Sequence, residues 1–344
     1  MSILEDENYV YFFFREAALE VMNCGKSIYS RVARVCKNDE GGSHTFTNRW
    51  TTFLKTRINC SVPGDYPFYF NEIQSTTDFF FHSGASQFFY AVFTTPENSI
   101  PGSAICRFSM DDLLQSFDSD FQNQESANSH WLPLAPSQVP SPRPGKCYNQ
   151  SSSVPESSLH FIKNHCLMEK AVSSNPSMPV FIRSSDSELL TKMAIHPGVS
   201  DLHGNLYDIL FVGTNRGKVI TILTSSDKPD IRTSEILEEV QIFSPTEPVL
   251  SLKIVAPAGP SPQLIIVSAD SVKAIHLHKC HKKHPDSVPE CMSCVSRHWP
   301  YCAWDMVSGT CVEHRLWSNK SQLVQTENEC PNQLGDQWGK EVID

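Results

Sequence analysis

Long apolar runs are missing from this 344-residue chain. No segment of about 18 consecutive apolar residues occurs, so no part of it is expected to span a membrane as a helix. An export signal is missing as well. Met1 is followed by Ser, Ile, Leu, Glu, Asp and Glu, with neither a basic start nor an apolar core. Charged residues are sparse at 19%, and their balance is acidic, −10 overall, with no Lys/Arg stripe. That excludes the basic face a duplex nucleic-acid binder needs. The one basic run, Lys279 to Lys283, interleaved with His278, His281 and His284, reads as a solvated connector before it reads as an anion patch. Catalytic signatures are lacking too: there is no Gly-x-Ser-x-Gly elbow and no His-Glu-x-x-His pair. Gly213-Thr-Asn-Arg-Gly217-Lys218-Val219 imitates a phosphate loop, but it is one residue short and leads into a strand pattern. A phosphate loop needs a helix whose amino end holds the anion. The acid pairs Asp111-Asp112 and Glu238-Glu239 read as solvated loop or strand-edge residues rather than as an acid/base pair.

Cysteine, by contrast, is abundant. Twelve occur, at 24, 36, 60, 106, 147, 166, 280, 291, 294, 302, 311 and 330. An even count, dense at one end, points to disulfides in an oxidising compartment. Three sequons agree with secretion: Asn59-Cys60-Ser61, Asn149-Gln150-Ser151 and Asn319-Lys320-Ser321. Disulfide chemistry without an export signal is resolved if the chain begins partway through a longer precursor; a membrane anchor beyond Asp344 fits the same reading. Cys291-Met-Ser-Cys294 with Cys302 and Cys311 also suggests zinc, and three histidines lie nearby. Eight residues separate Cys302 from Cys311, however, and six cysteines make a full set for three bridges, so disulfides are the favoured reading.

With 40% hydrophobic residues the chain is globular, and its Thr, Ser, Val, Phe and Pro lean toward β structure. Tyr9 to Phe14 is a continuous apolar run of the kind a strand buried on both faces gives. Phe88 to Thr94, Ser103 to Phe108, Tyr207 to Gly213 and Leu264 to Ser268 are similar. Ile209 to Thr214, Asn215-Arg-Gly, then Lys218 to Ile222 reads as strand, tight turn, strand, with Asn and Gly supplying positive φ. Leu264 to Ser268 and Val272 to Leu277 repeat the scheme, and Phe89 to Thr94 with Ala104 to Phe108 is a copy with a longer loop. Recurring hairpins of this form suggest a β-propeller, with a sandwich or barrel as the alternative. Pro133 to Pro144 carries five prolines and reads as an extended loop. Ser157 to Ala171 has helical spacing, with Leu159, Ile162, Cys166 and Lys170 on one face and Phe161 and His165 beside them. From Cys280 the texture turns to Cys, His, Pro and Trp, which marks a second, small domain.

Several ordered segments resemble the semaphorin family. They are Tyr11-Phe-Phe-Phe-Arg-Glu, Tyr29-Ser-Arg-Val-Ala-Arg-Val-Cys36-Lys-Asn-Asp, Trp50-Thr-Thr-Phe-Leu-Lys-Thr-Arg-Ile-Asn-Cys60-Ser-Val-Pro-Gly, Phe68-Tyr-Phe-Asn-Glu-Ile-Gln-Ser, Asn98-Ser-Ile-Pro-Gly-Ser-Ala-Ile-Cys106, Pro142-Arg-Pro-Gly-Lys-Cys147 and Tyr301-Cys-Ala-Trp-Asp305. The wording is most similar to invertebrate class 1, then class 2. The resemblance implies an all-β fold: a seven-bladed propeller, of which this chain holds about the last four blades with a helical insertion, followed by a small disulfide-rich plexin–semaphorin–integrin module. The implied domains are residues 1–279, the C-terminal part of the propeller without its first blades; 280–331, the module; and 332–344, a tail. An open propeller of this kind leaves a blade face and strand edges uncovered, which invites aggregation.

By position, the resemblance also implies the bridges Cys36–Cys147, Cys60–Cys106, Cys280–Cys302, Cys291–Cys330 and Cys294–Cys311. Cys24 and Cys166 are left over, for an interchain link through Cys24, for a bridge to each other, or as inert thiols. The implied function is that of a non-catalytic extracellular guidance ligand: it binds plexin receptors as a homodimer and signals in axon guidance and cell migration. It would need no cofactor, metal, nucleic acid or small-molecule substrate, and would meet a membrane only through a segment outside this chain. The loop Glu16 to Ser27, with Glu16, Glu20, Asn23 and Lys26, is nominated as receptor or dimer surface, against the plainer reading of a blade connector. The glycosylation sites would be Asn59, Asn149 and Asn319. Two alternatives remain: a secreted propeller hydrolase, which clustered acids or histidines in an apolar-walled central pocket would mark, and a plexin, which shares the propeller and module. The Arg143-Pro-Gly-Lys-Cys147 and Trp50-Thr-Thr-Phe-Leu-Lys55 segments match the ligand side.

Overall fold

The computed structural model describes residues 2–21, 25–42, 46–82, 86–126, 129–148, 154–185, 187–256, 262–278, 280, 290–317 and 319–331. These residues form four antiparallel sheets in chain order. The first joins Ser2–Glu5, Tyr9–Ala17, Ile28–Cys36 and Leu54–Asn59, with Val172–Ser173 added in parallel at the outer edge. The second runs Glu72–Thr76, Gln87–Thr94, Gly102–Ser109, Phe181–Ser184, the third Leu190–Ser200, Leu206–Thr214, Lys218–Ser225, Glu235–Gln241, and the fourth Ser251–Val255, Gln263–Val267, Val272–His276.

The apolar runs are explained by how these sheets stack. Side chains alternate across a strand, so a strand covered on both faces must be apolar at consecutive positions. In Gln87–Thr94, Phe89 and Phe93 face the first sheet, where Phe89 meets Phe13 edge-on at 5.3 Å. The intervening Tyr90 and Val92 face Leu210, Val212 and Ile220 of the third sheet. The third sheet's Ile209, Phe211 and Val219 in turn meet Leu264 and Ile266 of the fourth. Successive meander sheets burying one another's faces are consecutive propeller blades. Tyr9–Ala17 departs from the expected double burial. Tyr11 and Phe13 are enclosed, but Phe12 and Phe14 are only half-buried, because Trp50 stacked on Phe12 at 5.4 Å, rather than a further described sheet, covers that side.

The hairpin between Leu206–Thr214 and Lys218–Ser225 is built on one left-handed residue, Gly217 (φ +70°); Asn215 is not the second, contrary to the reading from sequence. Its side chain instead accepts from the Leu189 amide at 2.8 Å, and the Thr214 hydroxyl accepts from Arg216 and Lys218. A Cβ on Gly217 would lie 2.7 Å from the carbonyl oxygens of Glu247 and Ser244.

Two helical readings need correction. Asp111 and Asp112 open a helix, α1 (Met110–Phe117), where their charge favours the amino end and Ser109 caps the Asp112 amide at 3.1 Å. The second helix, α2 (Glu156–Asn164), buries Leu159, Phe161 and Ile162 but stops well short of Ala171. Beyond it the backbone is taken by neighbours: the Lys55 amide donates to the Cys166 carbonyl at 2.8 Å, Met168 to Lys55 at 2.9 Å, and Gln122 to Leu167 at 2.8 Å. Cys166 and Lys170 therefore lie outside the helix. The proline stretch is extended apart from one 3-10 turn, Pro136–Gln138.

The cysteine-rich segment packs a third helix, α3 (Glu290–Val295), on a small sheet of Cys302–Asp305, Thr310–Glu313 and Leu323–Val324. Its Trp299, Tyr301 and Trp304 share one apolar core with the third and fourth sheets.

Candidate functional site

Disulfides frame the molecule. Cys36 is bonded to Cys147 and Cys60 to Cys106, spanning 111 and 46 residues. In the C-terminal segment Cys280 joins Cys302, Cys291 joins Cys330 and Cys294 joins Cys311. The first bridge sits where Gly145 (φ +82°) lies against Leu54; a Cβ there would be 2.3 Å from its Cδ1. Cys166 is a free, half-buried thiol that burial pushes above its ordinary pKa. Cys24 lies outside the described residues, as do Asn23 and Asn149. Asn59 ends a strand and its Oδ1 is enclosed without a partner, whereas Asn319 is exposed and accepts the Ser321 hydroxyl at 2.8 Å.

The nominated receptor segment is pinned to the first sheet. Glu16 belongs to the strand Tyr9–Ala17 rather than to a loop. It accepts from Arg31 Nε at 2.8 Å and from Lys55 Nζ at 2.7 and 2.8 Å. Glu20 takes both its hydrogen bonds from Arg31 Nη2, at 2.6 and 2.7 Å. Arg31 is 1% exposed, so these acids are the counter-charge of a buried guanidinium. Of the four nominated residues only Lys26, which is exposed, projects free of this network among those described. On the same face, Trp50 stacks between Phe12 and Phe53 and stays half exposed (49%). It borders a groove of about 550 Å³ lined also by Phe46, Arg49, Ile162 and Cys166. Sequence reasoning used Trp50 only as part of a family segment, although an exposed aromatic is a signal in its own right.

Acid and histidine do converge elsewhere, between the second and third sheets. Asp208, fully buried, accepts from Tyr90 Oη at 2.8 Å, Ser226 Oγ at 2.7 Å and the Gly198 amide at 3.0 Å, with His82 Nε2 at 3.2 Å. Burial alone would raise its pKa, but the hydrogen bonds and charge of these partners hold it below the usual carboxylate value. Three partners donate to a carboxylate with no exposed surface and His82 stands beside it, so the cluster is a polar lock between blades, closed to substrate. The run from Lys279 to Lys283 falls almost wholly outside the described residues; His278 beside it sits 3.0 Å from Glu313. His278, Cys280 and Cys302 form the one metal-compatible group among the described residues, and two of its sulfurs are already joined to each other. No described helix is long and apolar enough to cross a membrane.

The Sema domain profile matches residues 73–256. The chain is similar to Semaphorin-1A of Schistocerca americana, 48% identical over 333 residues that cover 94% of this chain and 45% of that protein. It therefore spans under half the length of that relative. Among solved structures, the extracellular domains 1–2 of Drosophila Semaphorin 1a superpose with a TM-score of 0.85 at 44% identity, covering 96% of this chain and 66% of that one. A chain of the Drosophila Plexin A–Semaphorin 1b complex does so with 0.84 at 39% identity, again covering 96% and 66%. Profile, sequence and structure all match over most of the chain, and the chain belongs to the semaphorin family.

Proposed function

We propose that this chain is part of an extracellular guidance ligand that binds a plexin and catalyses nothing. The observation that carries the reading is its likeness, over 96% of its length, to a chain of the Plexin A–Semaphorin 1b complex. The five disulfides support an oxidising, extracellular setting. The exposure of Asn319 supports a glycan there, and Asn59 is the least accessible of the described sequons. The division into propeller (1–279), module (280–331) and tail (332–344) belongs to the same reading, with the module as a spacer that orients the blades. A chimera tests the proposal: residues 1–344 replace the matching part of Semaphorin 1b, and binding to the Plexin A ectodomain is measured. Binding is expected; a secreted, folded chimera that does not bind refutes the proposal.

We further propose that the ligand acts as a homodimer linked through Cys24, which would bring two receptors together without new chemistry. With ten cysteines in intrachain bridges, Cys24 and Cys166 remain, and Cys166 is half-buried behind the Trp50 groove. On a non-reducing gel the chain should run as a dimer, Cys166→Ser should leave the dimer intact, and Cys24→Ser should abolish it. A dimer that survives Cys24→Ser, or a wild-type monomer, sinks the idea. Glu16, Glu20, Asn23 and Lys26 are proposed as the neighbourhood of this contact, with the two acids shaping the loop from within.

A further inference from the structure

Two histidines, His196 and His314, fasten the joint between the third sheet and the cysteine-rich module. His196 lies on Leu190–Ser200, where the strand slips register between His196 and Val199. Its Nδ1 is hydrogen-bonded to the Tyr301 hydroxyl at 2.5 Å, and the two rings stack at 5.6 Å. Four residues on, the Ser200 carbonyl accepts from His314 Nε2 at 3.0 Å, and Pro300 O accepts from the same atom at 2.7 Å. His314 is 1% exposed, and its Nδ1 is enclosed without a partner. The carbonyl contacts of His314 tolerate either protonation state; what opposes a second proton is its enclosed, unpartnered Nδ1. A second proton on His314 would create a buried N–H with nothing to accept it, and one on His196 would make the Tyr301 hydroxyl turn and give up its own donation to that ring.

Apart from the Pro300 and Ser200 carbonyls, which favour a charged His314, the surroundings offer these rings little relief. The His278 ring lies tilted against Tyr301 at 4.9 Å, and Arg315 and Lys320 add positive charge. The nearby acid, Glu313, sits on His278 at 3.0 Å. His298 also reaches the third sheet, its Nδ1 3.0 Å from Glu235, a contact that acid would strengthen until the carboxylate itself is protonated. Gln325, which does not titrate, supplies another tie. Its Oε1 accepts from Leu202 N at 2.7 Å, and its Nε2 donates to Cys302 O at 2.8 Å.

We propose that this joint is an acid-sensitive latch: as pH falls from neutral toward that of an acidified vesicle, protonation of His196 and His314 releases the module from the third sheet while the sheet-on-sheet core stays closed. Burial holds both imidazoles below the ordinary value of 6.5, His196 at about 4. The unfastened state therefore binds more protons than the fastened one, so the latch weakens as pH drops from 6.5 toward 4. The closed latch fixes how the module carries the blades; the open one uncouples them, giving ligand taken up with its receptor a structural response to acid.

Hydrogen exchange of the full chain at pH 7.4 and 5.0, corrected for intrinsic rates, reads this directly. Segments 196–202 and 299–314 should lose protection at least about tenfold at pH 5.0, while Gln87–Thr94 and Gly102–Ser109 keep theirs. The effect should reverse on neutralisation and flatten in His196→Asn, His314→Gln and the double variant. Unchanged protection down to pH 4.5, loss that spreads equally to the second sheet, or a pH response that persists in the double variant would each overturn the proposal. If the variants do not fold, the wild-type comparison between segments still decides.

Discussion

Arg31 is the largest side chain in the described molecule with almost no exposed surface. A buried guanidinium is tolerable only when its charge is matched and its donors are used. Glu16 and Glu20 do both, and Lys55 shares Glu16. Removing the cation while keeping the volume, as in Arg31→Met, leaves Glu20 without its partner and is expected to cost about 3 kcal/mol of stability, read as a lowered denaturant midpoint. Arg31→Lys should recover less than half of this, since one ammonium cannot reach both acids with fork geometry. A loss below about 1 kcal/mol for Arg31→Met would mean that the pair is as weak as a surface ion pair. None of this was legible from residues 16, 20 and 31 in line, because acids near an exposed-looking loop carry no mark of the arginine eleven and fifteen residues away. The same holds for His196 and Tyr301, 105 residues apart.

At the scale of elements, strands were easy and helices hard. The runs at Gln87–Thr94 and Leu206–Thr214 announce themselves because each is buried on both faces, which forces consecutive apolar residues, whereas Gln263–Val267, read the same way in sequence, buries only Leu264 and Ile266 fully. Helix α1 is only 8 residues long, and its first turn is acidic, so polar residues that serve its amino end looked like loop. Helix α2 overran in sequence because nothing local shows that the backbone at Cys166 and Met168 is claimed by Lys55. In the hairpin at 215–217 the glycine carries the turn alone. Gly217→Ala is expected to cost at least about 2 kcal/mol, from the left-handed backbone together with the approach to the Glu247 and Ser244 carbonyls. Thermal melts check this, and an alanine variant as stable as the parent would show that the junction toward the fourth sheet can yield.

At the largest scale, the described residues form four stacked sheets and a disulfide-stapled segment, with one core that runs without a break from the third sheet into Trp299, Tyr301 and Trp304. Propeller architecture was suggested by hairpin recurrence, but a sandwich would give similar hairpins. What separates them is which faces meet, and that is a property of packing between sheets rather than of any one strand. Family membership was legible for a different reason: long ordered segments such as Trp50 to Gly64 are specific in a way that periodicity is not. Receptor binding is the central claim, and it belongs to this scale because no single residue carries it. The most direct measurement is the equilibrium binding of the Semaphorin 1b chimera carrying residues 1–344 to the immobilised Plexin A ectodomain. Saturable binding within about tenfold of the parent semaphorin, a difference under about 1.4 kcal/mol, is expected. A correctly folded chimera with no saturable binding up to about 100 μM, the weak end of specific recognition, would contradict it.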